Sequence, residues 1–391
     1  MQICLFDTPL RAHFFPFTHT RSIADIRCGI LTMRERWEHY LKVQHTATLT
    51  VSYLQNCYTS PTTTTTTYIN GAVHASDALK TAIIALQADQ ALYFNELLIA
   101  FKSQEASYTI ENLLQLAQQA LKVEFAGPIS YLDKLWDIFT QNGTQIKADF
   151  QAITSEKTSA PLPNYVQAIN PEAIFIDEGA VLLPCIINAS NGPVYIGKNA
   201  EIMEGALLRG PLSIGTQSTI KMGAKIYGDT TIGPGCKVGG EVSNSVFFEN
   251  SNKGHDGFIG NSVIGAWCNL GADTNCSNLK NNYSPVAIYD EAQQQYIATG
   301  LQFCGLFMGD HSKTSINTMI NTGSVIGVAC NIFGSAFPEK YTPSFTWGMG
   351  QTATKHQIEK AIATANAMMN RRNQCLSKEA EAVLHYISNK Y

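Results

Sequence analysis

A repeat with a period of six residues constrains the fold of this chain more than any other feature of its sequence. Aliphatic residues recur at every sixth position from Ile196 to Val238, and a small residue such as Ala200 stands two positions before most of them. Neither the period of an α-helix nor the alternation of an ordinary strand gives this spacing. It is typical of a parallel β-helix, in which aliphatic side chains point inward and glycines form turns. The register comprises Ile196, Ile202, Leu208, Ile214, Ile220, Ile226, Ile232 and Val238, and returns at Ile320, Ile326 and Ile332.

The repeat is interrupted twice, once between Val238 and Ile259 and again between Cys276 and Leu306. In a solenoid the regular coils are a scaffold, and insertions become loops that often carry function. We therefore expect the catalytic residues in these two interruptions.

The residues before the repeat predict an α/β domain. We expect strands at 2–6 and 47–54 and helices at 30–42, 76–88 and 110–120, with prolines from 161 to 171 marking a linker. The threonine run 62–67 predicts an extended, exposed segment. Residues 352–388 predict helices that cap the open end of the β-helix. The expected domains are 1–160, 161–350 and 351–391.

Composition narrows the class of protein. The chain has 391 residues, a net charge of −4 and only 15% charged residues, so it shows no electrostatic footprint for nucleic acid or an anionic membrane. Its ten cysteines include no CxxC pair, which argues against a zinc or redox site and favours thiols as apolar fillers. No signal peptide or membrane-spanning stretch is evident, so we expect a cytoplasmic protein.

Two histidines stand out as candidate acid–base residues. His255 lies among glycines in the first interruption, and His311 lies in the segment GDHSK. Imidazole is the side chain best suited to proton transfer near neutral pH. A histidine bonded only to backbone would look the same at this level, and composition does not rank the two.

The stretch GHDGFIGNSVIGAWCNLGADTNCSNL resembles the acetyltransferase domain of the bifunctional GlmU enzymes, which join glucosamine-1-phosphate acetylation to uridylyl transfer. Archaeal bifunctional sugar-1-phosphate enzymes share part of it, and the whole chain resembles the compact variant of Bacteroidetes-type bacteria. The resemblance implies a left-handed β-helix. The matching residues, without a gap, are His255, Asn269, Gly271, Ala272 and Asn278.

The resemblance also implies roles for these residues. His255 would be the general base that takes a proton from the sugar amine as it attacks acetyl-CoA. Asn269 would hydrogen-bond the sugar or the amine, and Asn278 would orient the acyl group or the pantetheine arm. The residues available for the substrate and its phosphate are Arg209, Lys221, Lys253, Phe258 and Ala272.

Three positions depart from the family pattern. Phe258 stands where the family has a tyrosine, Leu279 replaces a second tyrosine, and Ser284 replaces a lysine whose place Lys280 could take. These changes leave acetyl transfer in place and affect the expected sugar specificity.

The N-terminal segments PFTHTR and GILT resemble the truncated sugar-nucleotidyltransferase domain of the same group, which implies a Rossmann-like fold. The glycine-rich phosphate loop of such enzymes is absent here, although Arg11 keeps its basic character. The polar candidates for the nucleotide are Arg11, Arg21, Asp25 and Lys80. No clear metal ligand can be assigned.

The implied function is synthesis of UDP-N-acetylglucosamine, a nucleotide sugar of the cell envelope. Acetyl-CoA would be the acetyl donor, UTP with Mg²⁺ would supply the nucleotide, and the resemblance implies a homotrimer. Two alternatives remain: an acyltransferase with a non-catalytic N-terminal domain, and a non-catalytic hexapeptide-repeat interaction protein. The sequence does not distinguish UTP from dTTP.

Overall fold

A computed structural model gives the structure of the protein for all residues except 1, 63–64 and 105–108. The N-terminal part is a six-stranded mixed sheet of order β2-β1-β3-β5-β4-β6, in which β1 pairs in parallel with β2 and β3. Its strands are β1 (Gln2–Phe6), β2 (Ala47–Leu49), β3 (Thr66–Asn70), β4 (Gln90–Phe94), β5 (Leu97–Ser103) and β6 (Leu121–Glu124). Its helices are α1 (Met33–Leu41), α2 (Ser52–Gln55), α3 (Asp77–Ala85), α4 (Ile110–Gln119), α5 (Asp137–Thr140) and α6 (Asn142–Thr154).

Two local predictions for this domain are wrong. The strand expected at 47–54 ends at Leu49, and Thr50 turns away to donate a hydrogen bond to Asp7, 2.5 Å between oxygens. The threonine run is only partly exposed, because Thr66 and Thr67 are buried in β3 between β1 and β5. Residues 63 and 64 of that run lie outside the described residues.

The following residues form a left-handed parallel β-helix with three faces. Face 1 contains β7 (Gln167–Ile169), β10 (Ile186–Asn188), β13 (Leu207–Arg209), β16 (Lys225–Ile226), β19 (Glu241–Ser243) and β22 (Phe258–Gly260), and continues as the pair β25 (Asn275–Cys276) and β30 (Met319–Ile320). Face 2 contains β8 (Ile174–Ile176), β11 (Val194–Ile196), β14 (Leu212–Ile214), β17 (Thr230–Ile232), β20 (Val246–Phe247), β23 (Val263–Ile264), β28 (Leu306–Met308), β31 (Ser324–Ile326) and β33 (Tyr341–Thr342). Face 3 contains β9 (Val181–Leu182), β12 (Glu201–Ile202), β15 (Thr219–Ile220), β18 (Lys237–Val238), β21 (Asn252–Lys253), β24 (Asn269–Leu270), β29 (Lys313–Thr314), β32 (Asn331–Ile332), β34 (Thr346–Trp347) and the antiparallel β35 (Thr354–Lys355).

The six-residue register forms the interior of this β-helix, as predicted. Its aliphatic residues from Ile196 to Val238 are between 0% and 3% exposed and stack on one another from coil to coil. The small residues two positions before them, such as Ala200 and Cys236, are also fully buried. The interior packing of equivalent side chains therefore sets the register of every strand pair.

The first interruption is not an insertion. Between Val238 and Ile259 the coils continue, and the interior positions are Val242, Phe247 and Lys253. Two corners are shortened, so the spacing between successive interior residues is four and then five residues instead of six. At the third of these positions Lys253 replaces the aliphatic residue. The second interruption is an insertion: residues 277–305 leave the coil and form the hairpin of β26 (Ala287–Asp290) and β27 (Gln295–Ala298).

The N-terminal domain packs on face 2. Thr231 on β17 donates a hydrogen bond to the backbone oxygen of Gly29, 2.9 Å away. The rings of Phe17 and Phe248 lie 5.2 Å apart in a mixed apolar cluster of the two domains. Face 2 is therefore closed to solvent along much of its length.

The C-terminal helices are α7 (Ile358–Asn370) and α8 (Lys378–Lys390). The expectation that they cap the open end is wrong, because they lie along the corner between faces 2 and 3. Arg372 bonds Asn250 at 3.0 Å, and the rings of Tyr53 on α2 and Tyr386 on α8 stack at 4.1 Å. The helices therefore join the β-helix to the N-terminal domain.

A buried ion pair makes the N-terminal domain sensitive to the loss of either partner. Arg36 and Asp149 are 2% and 1% exposed and form a bidentate pair at 2.7 and 2.8 Å. We expect Asp149→Ala to lower the free energy of unfolding by about 3–5 kcal/mol, because it strands a buried guanidinium. Urea unfolding followed by tryptophan emission, to which the buried Trp37 contributes, measures the change.

The matched control is Glu178→Ala, which breaks the exposed pair with Lys198. This substitution should cost far less stability than Asp149→Ala, because water screens the exposed pair. Equal losses for the two variants would contradict the assigned role of the buried pair.

Candidate active site

His255 lies at the corner between faces 3 and 1. It is exposed, and its corner follows β21 and leads into β22. The next corner stacks directly on it, since the Asp273 N–H donates to the backbone oxygen of Asp256 at 3.1 Å. Ala272 occupies the position equivalent to His255 in that next corner. The histidine is thus carried by a regular stack of corners and not by a long loop.

Asn269 lies on face 3, on the coil that follows His255. It is the first residue of β24 and pairs in register with Asn252 on β21, whose Nδ2 donates to Asn269 Oδ1 at 2.7 Å. Lys313 is its register partner on the other side. A row of two amide groups therefore lies on face 3 beside the His255 corner, whereas Lys313 Nζ donates to the backbone oxygen of His311.

Asn278 lies at the opposite edge of face 1 from His255. Its Nδ2 donates to Oδ1 of Asn261 at 2.7 Å, after the ends of β22 and β25. A three-residue strand separates the two edges by about 10 Å at 3.3 Å per residue. One subunit therefore brings His255 close to the Asn269 row but leaves Asn278 across the face.

Phe258 spans the face between these two edges. A methyl group on Gly260 would lie 2.6 Å from Phe258 Cζ and 2.7 Å from Asn278 Nδ2, so both side chains cover the bare glycine backbone. The Phe258 N–H donates to Asn275 Oδ1 at 2.8 Å. The ring is a flat apolar floor where the family has a phenol.

The three cations predicted to bind phosphate occupy different places. Lys253 does not face a phosphate site, which corrects the prediction: it is 1% exposed, and its Nζ donates to two backbone oxygens inside the coil. Arg209 is exposed on face 1, three coils before β22. Lys221 is half-buried at the same corner, two coils before His255, and Gly239 and Gly254 occupy the equivalent position in the two following coils. Of the three predicted cations, Lys221 is the one that lies at this corner with its side chain partly exposed.

Three asparagines of the site were missed by sequence reasoning. Each of them forms a hydrogen bond with a predicted site residue: Asn252 with Asn269, Asn261 with Asn278, and Asn275 with the Phe258 N–H. Each bond joins residues 17 positions apart, which is the length of one coil with one shortened corner. A search for polar residues at that separation would have found them.

The N-terminal residues predicted to bind nucleotide do not form a common site. Arg21 pairs with Asp310 of the β-helix and lies 3.5 Å from Glu249, so it joins the two domains. Arg11 is buried and bonds the Thr18 backbone oxygen.

The other two candidates also have separate surroundings. Asp25 pairs with Arg34 at 2.6 Å. Lys80 is half-buried beside a groove of about 820 Å³ that α1, α3 and α6 line. The structure therefore does not bring the four candidates together: Arg21, Arg11 and Asp25 bond other groups of the chain, and Lys80 lies at the groove. Their role in nucleotide binding stays a prediction.

The carboxyl ends of the parallel strands are covered by the chain itself. Open α/β sheets bind ligands at this edge. Here Asp7, after β1, accepts hydrogen bonds from Ser22, Thr50 and the Ile23 N–H. Burial raises the pKa of the Asp7 carboxyl, although its donors and Arg11 oppose the change. The segment 7–27 fills the crevice where a nucleotide would be expected.

Neither a metal cluster nor a membrane span occurs among the described residues. Outside positions 1, 63–64 and 105–108, no three His, Cys, Asp or Glu side chains are grouped to hold a metal ion. Within the same part of the chain, no helix is long and apolar enough to cross a membrane.

The fold is a parallel β-helix built from six-residue repeats, with an added α/β domain. Residues 3–158 match the sugar nucleotidyl transferase family. The uncharacterized acetyltransferase YaiX of Escherichia coli O6:K15:H31 is 36% identical over 168 residues, which are 42% of this chain and 72% of that protein. The chain belongs to the same acetyltransferase family as YaiX.

Bifunctional enzymes are similar to a shorter part of the chain. The bifunctional sugar-1-phosphate nucleotidylyltransferase/acetyltransferase of Sulfurisphaera tokodaii is 34% identical over 96 residues, 25% of this chain and 23% of that protein. The bifunctional protein GlmU of Methanocaldococcus jannaschii is 29% identical over 107 residues, 27% and 26% of the two chains. These similarities support acyl and nucleotidyl transfer in sugar metabolism in general terms.

The surroundings of His311, the second candidate histidine, oppose its protonation. Burial is the main cause that lowers the pKa of His311 to about 4, and Lys313 and Arg21 act in the same direction against Asp310. In the unfolded chain its pKa is about 6.5. The unfolded state therefore binds a proton between these values that the folded state does not, and stability falls as pH drops from about 6.5 toward 4.

We expect His311→Gln to lose less stability than the wild type over this pH range. Thermal unfolding at pH 7, 6, 5 and 4 measures the difference, with the exposed His385→Gln on α8 as the control. If His311→Gln and His385→Gln follow the same curve as the wild type, the environment assigned to His311 is wrong.

Proposed function

We propose that the protein transfers an acetyl group from acetyl-CoA to the amine of an amino-sugar phosphate, with glucosamine 1-phosphate as the acceptor. The observation that carries the proposal is the exposed His255 on a rigid corner, next to the amide row of Asn252 and Asn269. The family resemblance of this stretch and the acetyltransferase relatives support it.

In the proposed reaction the His255 imidazole takes a proton from the attacking amine. The nitrogen forms a bond to the acetyl carbon, the carbon–sulfur bond breaks, and the proton passes to the leaving CoA thiolate. General-base assistance of this kind contributes roughly 10²–10⁴-fold to rate. Asn269 would hold the acceptor, and Lys221, at the same corner two coils before His255, would be a cation available for its phosphate.

A homotrimer would complete the site. Asn278 lies across face 1 from His255, so a neighbouring copy would have to bring an acyl-binding edge to the histidine. Face 1 exposes apolar side chains near its start, with Ile169 50%, Ile186 38% and Leu207 45% exposed. A second subunit packed there would cover them. The proposed setting is the cytoplasm, and the ten unpaired cysteines fit a reducing compartment.

A second activity is proposed for residues 3–158, uridylyl transfer from UTP with Mg²⁺ to give UDP-N-acetylglucosamine. Its support is the match to sugar nucleotidyl transferases. The covered crevice and the Arg21–Asp310 pair favour the alternative, in which this domain is a non-catalytic module. A hexapeptide-repeat protein without any activity is the remaining alternative.

His255→Ala should reduce CoA release from acetyl-CoA and glucosamine 1-phosphate by about 10²–10⁴-fold, because the amine loses its proton acceptor. A thiol-reactive dye follows the released CoA. The control is His385→Ala, which removes an exposed histidine of α8. Wild-type activity in His255→Ala would refute the proposed base, and no CoA release by the wild type with any amino-sugar phosphate would refute the reaction.

Pyrophosphate release decides the role of the N-terminal domain. We expect wild-type protein with UTP, Mg²⁺ and N-acetylglucosamine 1-phosphate to release pyrophosphate if the domain is active, with dTTP as the matched substrate control. Lys80→Ala should then slow release by at least tenfold, because it removes the cation of the open groove. A complete absence of pyrophosphate with both nucleotides establishes the non-catalytic alternative.

A further inference from the structure

A lysine occupies the interior of the β-helix directly before the His255 corner. Lys253 is 1% exposed and stands in the inward column of face 3. All other members of this column are aliphatic or threonine. Burial of an ammonium group in such surroundings is unfavourable unless the group is hydrogen-bonded. The column comprises Leu182, Ile202, Ile220, Val238, Lys253, Leu270, Thr314 and Ile332.

The Lys253 ammonium group bonds to two corners. Its Nζ donates to the backbone oxygen of Gly239 at 3.0 Å and to that of His255 at 2.8 Å. Gly239 belongs to the corner one coil earlier. The lysine therefore links the backbone of His255 to the backbone of the preceding corner by hydrogen bonds inside the β-helix.

The neighbouring glycines provide the space for this group. The corner after Val238 has only two residues, two fewer than the four-residue corner that contains His255. A methyl group on Gly240 would lie 2.8 Å from Lys253 Nζ, so the ammonium group fills the volume that a small side chain fills in other coils. The shortened corner and the interior lysine are thus parts of one arrangement.

Packing alone does not account for a lysine here. Methionine or leucine would fill the column without burying a charge, as the residues above and below do. Burial lowers the pKa of Lys253 to about 8, while Asp256 and Asp273 partly oppose the change. A neutral amine still has two N–H groups for the two carbonyls, so the contact persists on both sides of that pH.

We propose that Lys253 is a positioning residue, which fixes the backbone of the His255 corner from the interior of the β-helix and so aims the imidazole at the acceptor amine. The inference rests on the proposed function of His255. A displacement of about 1 Å at a catalytic group can cost roughly 10²-fold in rate, so loss of the contact should act on turnover more than on binding.

Three variants test the inference in the full-length protein. Lys253→Met fills the column but removes both hydrogen bonds, and Lys253→Gln keeps an amide with two N–H donors. Ile220→Met is the control for interior repacking, since it changes the same column two coils away. The readouts are kcat and KM with acetyl-CoA and glucosamine 1-phosphate, Tm, and amide hydrogen exchange of the peptide 254–258.

For Lys253→Met we expect kcat to fall about 10- to 100-fold with KM for acetyl-CoA unchanged, and exchange at the corner to rise at least tenfold. Tm should change little, because the removal of a buried charge offsets the lost bonds. Lys253→Gln should restore most of kcat and of the protection. In the His255→Ala background, Lys253→Met should have no further effect on rate.

Two results would overturn the inference. The first is that Lys253→Met shows the same hydrogen exchange at the corner and the same kcat as the control Ile220→Met. The second is that Lys253→Met lowers the rate in the His255→Ala background by the same factor as in the wild type. Failure of the proposed function looks different: His255→Ala then keeps wild-type activity, and hydrogen exchange alone decides whether Lys253 holds the corner. If Lys253→Met does not fold, Gly240→Ala replaces it, because the added methyl group displaces the Lys253 ammonium group, and a wild-type rate with unchanged corner exchange in that variant overturns the inference.

Discussion

The structure depends on the stacking of equivalent inward side chains from one coil to the next. Each aliphatic residue of the register lies on its counterpart one coil away, as Ile220 does on Val238, and the hydrophobic effect keeps the three faces aligned. Strand positions are therefore fixed, and only corners can change length. For this reason the candidate catalytic residue lies at a corner, where side chains do not have to pack in the interior of the β-helix.

The placement of the N-terminal domain leaves one corner open. That domain covers face 2, and α7 and α8 lie along the corner between faces 2 and 3. The corner that carries His255 joins faces 3 and 1, on the side of the β-helix opposite face 2. A ligand and a second subunit can therefore both approach it, which a site on face 2 would not permit.

Much of the fold could be predicted from the sequence, since few folds besides a parallel β-helix produce a six-residue period. The coils after Val238 could not, because two shortened corners and the interior Lys253 hid the register. The resemblance to a family motif predicts His255, Asn269 and Asn278 as site residues. The partner of Arg21 could not be predicted from the sequence. Asp310 is 289 positions away, and an arginine that pairs with a distant aspartate has the same local sequence as one that binds phosphate.

The contact between the two domains gives the N-terminal sheet a role that does not need a nucleotide. Face 2 presents Phe175, Tyr195 and Phe307 outward, and these rings are buried only because the N-terminal domain covers them. Exposed apolar area of that size would favour aggregation. Arg21 stabilises the same contact through Asp310. A domain of nucleotidyl transferase type that lacks the phosphate-binding glycines can thus remain essential to the protein, because the β-helix requires its surface whether or not its crevice binds a ligand.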